Sequence, residues 1–145
     1  MATRDLTRNL KNEIALNVQA ISSDTTTVGN NIDVADFESG VNFTIFSGVY
    51  TDGTYDVLVE HGDDSGLSDA APVPDNQLLG QDPTSSTAPE LQAQIGAANE
   101  IKKIGYVGAK AFVRISIVST VVTTGGTIGA IVEKKPEIMP AEIVA

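Results

Sequence analysis

The sequence predicts an all-β fold, an antiparallel β-sandwich, on three observations. Apolar residues recur at every second position in five separate runs, the period of a strand with one buried face. Val, Ile and Thr fill those runs, as a pleated, half-buried surface favours. Turn-forming pairs, Asp52-Gly53 and Gly125-Gly126, punctuate them. The chain has 145 residues, the size of one domain. A domain of that size buries enough surface to fold without a covalent or metal staple. It has no cysteine, which excludes thiol catalysis, thiolate metal sites and a disulfide framework.

The first run is Ile14, Leu16, Val18 and Ala20, with Asn17 and Gln19 pointing the other way, and it predicts a half-buried strand with the even positions inward. The second and third, Val41, Phe43, Ile45 and Tyr55, Val57, Val59, flank Asp52-Gly53. That pair predicts a β-hairpin with a type I′ turn, in which both central residues take positive φ. Counting back from the turn sets Tyr50 opposite Tyr55 and Phe46 opposite Val59. Those are even positions on a strand whose early part alternates on odd ones, so an extra residue is expected near Ser47-Gly48 as a β-bulge. A fourth run, Ala111, Val113, Ile115, Ile117 and Val121, and a fifth, Ile128, Ala130 and Val132, flank Gly125-Gly126 and predict a second hairpin. Between Gly62 and Glu100 the pattern weakens around four prolines. A long loop is expected there, with a short helix over 89–98 that starts at Pro89 and is weakened by Gly96.

Residues 1–12 and 135–145 are expected to be arms flanking a β-sandwich body at 13–134. The N-terminal arm carries Arg4, Arg8 and Lys11, and the C-terminal one Ile138, Met139, Ile143 and Val144. The apolar residues of the second arm have no following element to pack against, so this segment is either a partner-seeking arm or a frayed tail.

Nine Lys and Arg stand against 19 Asp and Glu, a net charge of −10 with a pI of about 4.3. No Lys or Arg occurs from Asn12 to Ile101. Without a basic stripe the attraction behind non-specific nucleic-acid binding is missing, and neither nucleic acid nor an anionic membrane is expected as a partner. No apolar segment follows the basic N-terminal residues and no run is long enough to span a bilayer, so the chain is expected to be made in the cytoplasm.

Chemical candidates are few. His61 is the sole histidine, it stands at the expected end of a strand and no nucleophile-elbow motif accompanies it, so a triad is not expected. Asp63, Asp64, Asp69 and Asp75 offer oxygen ligands, but their spacing fits no EF-hand loop and a solvated acidic loop is the simpler reading. Glu60 with Asp63 or Asp64 suggests a glycosidase-like carboxylate pair. With no Trp and seven Phe and Tyr in all, sugar-stacking platforms are scarce. Gly105, Gly108, Gly125 and Gly126 match no phosphate loop. Asn42-Phe43-Thr44 is a glycosylation sequon inside an expected strand. No catalytic residue, metal or cofactor is expected.

Several strings carry a resemblance: YTDGTYDV from Tyr50 to Val57, the acidic stretch after it, QLLG from Gln77 to Gly80, KIGYVGAKAFVR from Lys103 to Arg114, and TGGT from Thr124 to Thr127. Together, from about Phe37 to Pro136, the sequence resembles the capsid cement, or head decoration, proteins of tailed bacteriophages, of jelly-roll type. It departs at Ala111, where an alanine stands for a basic or aromatic residue. The resemblance implies a jelly roll of about eight strands that binds the outside of an assembled capsid. There it would clamp neighbouring capsomers and self-associate as a dimer or trimer at a symmetry axis. It implies the major capsid protein as partner, the virion exterior as location, the arm residues as contacts, and Gly48, Asp52, Gly53, Gly125 and Gly126 as structural turns. A phage tail or fibre domain and an extracellular carbohydrate-binding module are the alternatives.

Overall fold

The computed structural model describes residues 6–35 and 40–135. Leu6–Asn9 forms one helical turn, α1, and ten strands follow: β1 Lys11–Ile21, β2 Thr25–Val28, β3 Ile32–Asp33, β4 Val41–Tyr50, β5 Thr54–Gly62, β6 Ala71–Pro72, β7 Leu78–Gly80, β8 Ile101–Tyr106, β9 Phe112–Thr120 and β10 Gly126–Lys134. A second helical turn, α2, spans Pro89–Gln92.

All pairings are antiparallel and form two sheets, ordered β1-β10-β4-β8-β7 and β2-β9-β5-β6, with β3 also paired to β9. Apart from the short β3 and β7, the sheets hold four strands each, in the order of a jelly roll. Among those eight strands only β5 to β6 stays within one sheet; every other connection crosses to the opposite one. The fold is therefore an all-β antiparallel sandwich, as the alternation predicts.

The core lies between the sheets. Phe43, Ile45, Ile104, Ile128, Ala130 and Val132 from one face Tyr55, Val57, Val59, Val113, Ile115 and Ile117 from the other, all nearly or wholly buried. These are the odd positions of β4, β5 and β9 and the even positions of β8 and β10, so the strict period of each run is what fills the space.

Both expected hairpins are corrected: β4 pairs with β10 and β8, while β5 pairs with β9. The chain crosses between sheets at Thr51–Gly53 and again at 121–125, as two arches. A hairpin and an arch impose the same alternation, because each presents one apolar face to the same core. Only Gly53 of the Asp52-Gly53 pair has positive φ, at 98°, so the turn is not type I′. Three linking residues suffice to cover the roughly 10 Å between packed sheets.

The bulge expected near Ser47-Gly48 exists, although its partner is β10. Gly126 faces Tyr50 and Ile128 faces Ser47, three residues of β4 against two of β10. Beyond it the alternation flips, and Val49 is exposed while Ser47 is buried. Gly48 has no positive φ, and a Cβ there would meet only Thr127 Cβ, at 3.9 Å. Glycine is thus not demanded at that position.

In β1 the expected even face is corrected. Two bulges, between Ile14 and Leu16 and between Leu16 and Gln19, bury the adjacent Ala15 and Leu16 and turn Ile14 and Val18 outward. The β2–β3 connection anchors the first bulge: Asn30 N–H donates to Ala15 O at 2.8 Å, and Asn30 Nδ2 to Ile14 O at 2.9 Å. The strand starts at Lys11, ahead of the body boundary expected from the sequence, with Lys11 opposite Lys134. In the fourth run β9 ends at Thr120. Val121, expected inside, is exposed with φ 57°.

Between Gly62 and Glu100 the expected helix over 89–98 is a single turn ending at Gln92. The segment is ordered by covering the edge of β5. Glu90 Oε1 accepts the Val59 N–H at 2.9 Å, Ile95 exchanges both backbone bonds with Tyr55 at 3.0 and 3.2 Å, and Gln94 donates to Asp56. These bonds satisfy strand groups that a bare edge would leave open.

Candidate functional site

At one end of the sandwich the connections β1–β2, β4–β5 and β9–β10 meet. The Asp52 carboxylate accepts the N–H groups of Thr123, Thr124 and Gly125 at 3.0, 3.1 and 2.9 Å. Asp24 accepts that of Val122 at 2.7 Å, and Thr51 N–H donates to Gly125 O at 2.9 Å. The bonds from Thr123 and Gly125 hold the Asp52 carboxyl below its ordinary value. Tyr55 Oη donates to Asp52 O and Tyr50 Oη to Gly53 O, their rings edge to face at 6.2 Å. Gly125 has φ 93°, and a Cβ on it would lie 1.9 Å from Ile21 O; one on Gly126 would lie 2.8 Å from Val49 O. This end is a clasp in which hydrogen bonds tie the three connections to one another.

The opposite end carries His61, buried at the end of β5, with Nδ1 2.8 Å from the hydroxyl of Tyr106. The loop of residues 107–111 forms one wall of an open pocket of about 480 Å³, whose other walls include Val34, Val41, Asp63 and Tyr106. The nearby acidic loop is internally bonded. Asp69 accepts the N–H groups of Asp63 and Asp64, and Asp64 accepts those of Gly66 and Ser68. Among the described residues no three His, Cys, Asp or Glu side chains are grouped to hold a metal ion. Glu60 pairs with Arg114 at 3.1 Å rather than with Asp63 or Asp64, and Asn42 of the sequon bonds Thr44 and Glu133 within the sheet.

The outer face of the five-stranded sheet carries an exposed apolar stripe. Phe46 of β4 faces Gly129 of β10 on one side and Ile101 of β8 on the other. A Cβ on Gly129 would lie 2.5 Å from Val18 Cγ2 and 3.0 Å from Phe46 Cζ, so Val18 and Phe46 close over the bare glycine. A stripe from Val18 through Phe46 to Ile101 thereby crosses four strands. Ile14 opposite Ile131 extends it along the strands. Val18 is 58% exposed, Ile101 64% and Ile14 51%. Polar groups rim it, with Lys103 on β8 and with Glu133 accepting from the Thr44 hydroxyl at 2.9 Å. An apolar strip with a polar rim has the composition of a protein contact surface.

Of the residues singled out in the sequence, Asp52, Gly53, Gly125 and Gly126 meet in the clasp, and Gly48 lies in the β4 bulge. Arg8 is exposed on α1, and Lys11 opens β1. Arg4, Ile138, Met139, Ile143 and Val144 lie outside the described residues. The stripe itself was missed because the alternation placed Ile14 and Val18 inside. The one available signal was Phe46, a large apolar residue on the face opposite Phe43 and Ile45.

No family model and no curated protein matches the sequence. Among solved structures, the SPBc2 prophage-derived protein YomS is similar, with 14% identity and a TM-score of 0.46 over 86% of this chain and 93% of that one. Among the described residues no helix is long and apolar enough to cross a membrane.

Proposed function

We propose that this chain is a structural virion protein that binds the outside of an assembled phage capsid and stabilises it by clamping neighbouring capsomers. The observation that carries the reading is the apolar stripe of Val18, Phe46 and Ile101 on a jelly roll whose connecting loops at the clasp end are tied to one another by hydrogen bonds. Such a body offers a broad sheet face to a partner. The resemblance to cement proteins supports the same reading. The partner is the major capsid protein, the chain acts as a homo-oligomer on the shell lattice, and the role requires no catalytic group. Repetition on a lattice multiplies weak contacts through effective concentration, so a stripe of modest area is enough.

The test is to purify virions and measure the ratio of this chain to the major shell protein by mass spectrometry. Wild-type and Ile101→Glu protein are then added to shells lacking it. A fixed ratio at or near a simple fraction of one, with attachment lost in the variant and its melting temperature unchanged, is the expected result. A few copies per particle would assign the chain to a tail or fibre instead, and none would overturn the virion role.

A further inference from the structure

His61 and Tyr106 join the two sheets at the end opposite the clasp, one from β5 and one from β8, with rings edge to face at 5.6 Å. The Tyr106 hydroxyl has one proton and can accept at its lone pairs. It accepts the backbone N–H of Lys110 at 3.1 Å and lies 2.8 Å from His61 Nδ1. In the arrangement that satisfies both the hydroxyl and Nδ1, the phenol proton goes to Nδ1, so His61 is neutral with its own proton on Nε2. A second proton, placed on Nδ1, reverses that bond. The Tyr106 oxygen must then accept from both Nδ1–H and the Lys110 N–H while its own proton turns to another acceptor, which weakens its bond to the loop.

The surroundings bear on the same proton. The charges of Asp63 and Asp69, on the β5–β6 loop, favour its charged form; Lys110, on the β8–β9 loop, disfavours it. β9 and β6 set Val113 and Ala71 opposite His61, neither of them charged. Burial, the largest influence, and then Lys110 hold the imidazole below its ordinary value of 6.5. Asp63 also grips the loop, accepting from Lys110 Nζ at 3.0 Å and from Ala111 N–H at 3.3 Å.

We propose that the chain His61, Tyr106, Lys110 is a proton-sensitive latch. While His61 is neutral it pins the loop of residues 107–111 at the end of the sandwich through Tyr106, and protonation of the ring releases the loop. The latch is independent of what the protein attaches to.

The test is an NMR titration of the full-length, ¹⁵N-labelled chain between about pH 7.5 and about 4.5, a window that spans histidine titration and reaches that of glutamate only at its acid end, where His61→Gln separates the two. It follows the His61 ring protons together with the hydrogen-exchange protection of the Lys110 amide. The expected result is a loss of protection of about tenfold or more, with the same midpoint as the ring and below 6.5. Both Tyr106→Phe and His61→Gln should remove that pH-linked step, while Asp63→Asn should keep it. The latch is overturned if the ring titrates without the amide following, if the ring does not titrate in this window, or if the step survives in His61→Gln. The two variants act on opposite ends of the bond, so misfolding of one leaves the other decisive.

Discussion

The Asp52 carboxylate accepts the backbone N–H of Gly125 at 2.9 Å, across 73 residues of sequence. Both residues stand out in the sequence as turn formers of separate hairpins. In the fold they tie two arches to each other, and the bonds from Thr123 and Thr124 complete the grip.

Asp52→Ala removes the acceptor for three N–H groups and should lower the melting temperature at neutral pH. Its carboxyl titrates below the ordinary 3.8 in the fold, so its contribution is fully present above that value and is lost as pH falls through the lower folded one. Melting curves of wild type and variant should therefore run parallel near neutrality and converge in acid below 3.8. A gap that stays constant throughout would show that charge plays no part.

At Gly125, alanine meets both a positive φ and a Cβ position 1.9 Å from Ile21 O. Gly125→Ala should cost about 2 kcal/mol or more in urea unfolding. Gly48→Ala, with only an ordinary contact at 3.9 Å, should fall within about 0.5 kcal/mol of wild type.

The β1 bulges make a paired prediction. Leu16 is 1% exposed and Ile14 51%. Leu16→Ala should cost roughly 2–5 kcal/mol, and Ile14→Thr within about 0.5 kcal/mol. Equal large costs at both sites would restore the unbulged strand that plain alternation implies.

Deleting residues 136–145 should leave the melting transition intact, because Lys135 N–H already closes the sheet end by donating to Gly40 O at 2.9 Å. If the proposed role holds, the same truncation should weaken attachment to shells in a sedimentation assay. Unfolding on truncation would place the segment in the core instead.

The inward faces of β4, β5, β9 and β10 were legible in the sequence because a strand's side chains alternate with period 2 whatever it pairs with. Phe43, Tyr55, Ile115 and Ala130 are buried by that rule alone. β8 was not legible: Lys102, Lys103 and Gly105 break up an apolar pattern that only Ile104 and Tyr106 carry inward. The outward stripe was hidden for a related reason, since each bulge in β1 adds one residue and flips every side chain after it.

What the sequence by itself determined is a sandwich of alternating strands with turns at Asp52-Gly53 and Gly125-Gly126. Only the tertiary structure decided that those turns are arches, that β5 and β9 share one sheet while β4 and β10 share the other, and that Val18, Phe46 and Ile101 form one surface. Alternation records which side of a strand is apolar, and pairing depends on where its edge hydrogen bonds go. Those bonds are supplied by residues distant in sequence, such as the N–H groups around Gly125 that draw the Asp52 turn across the core.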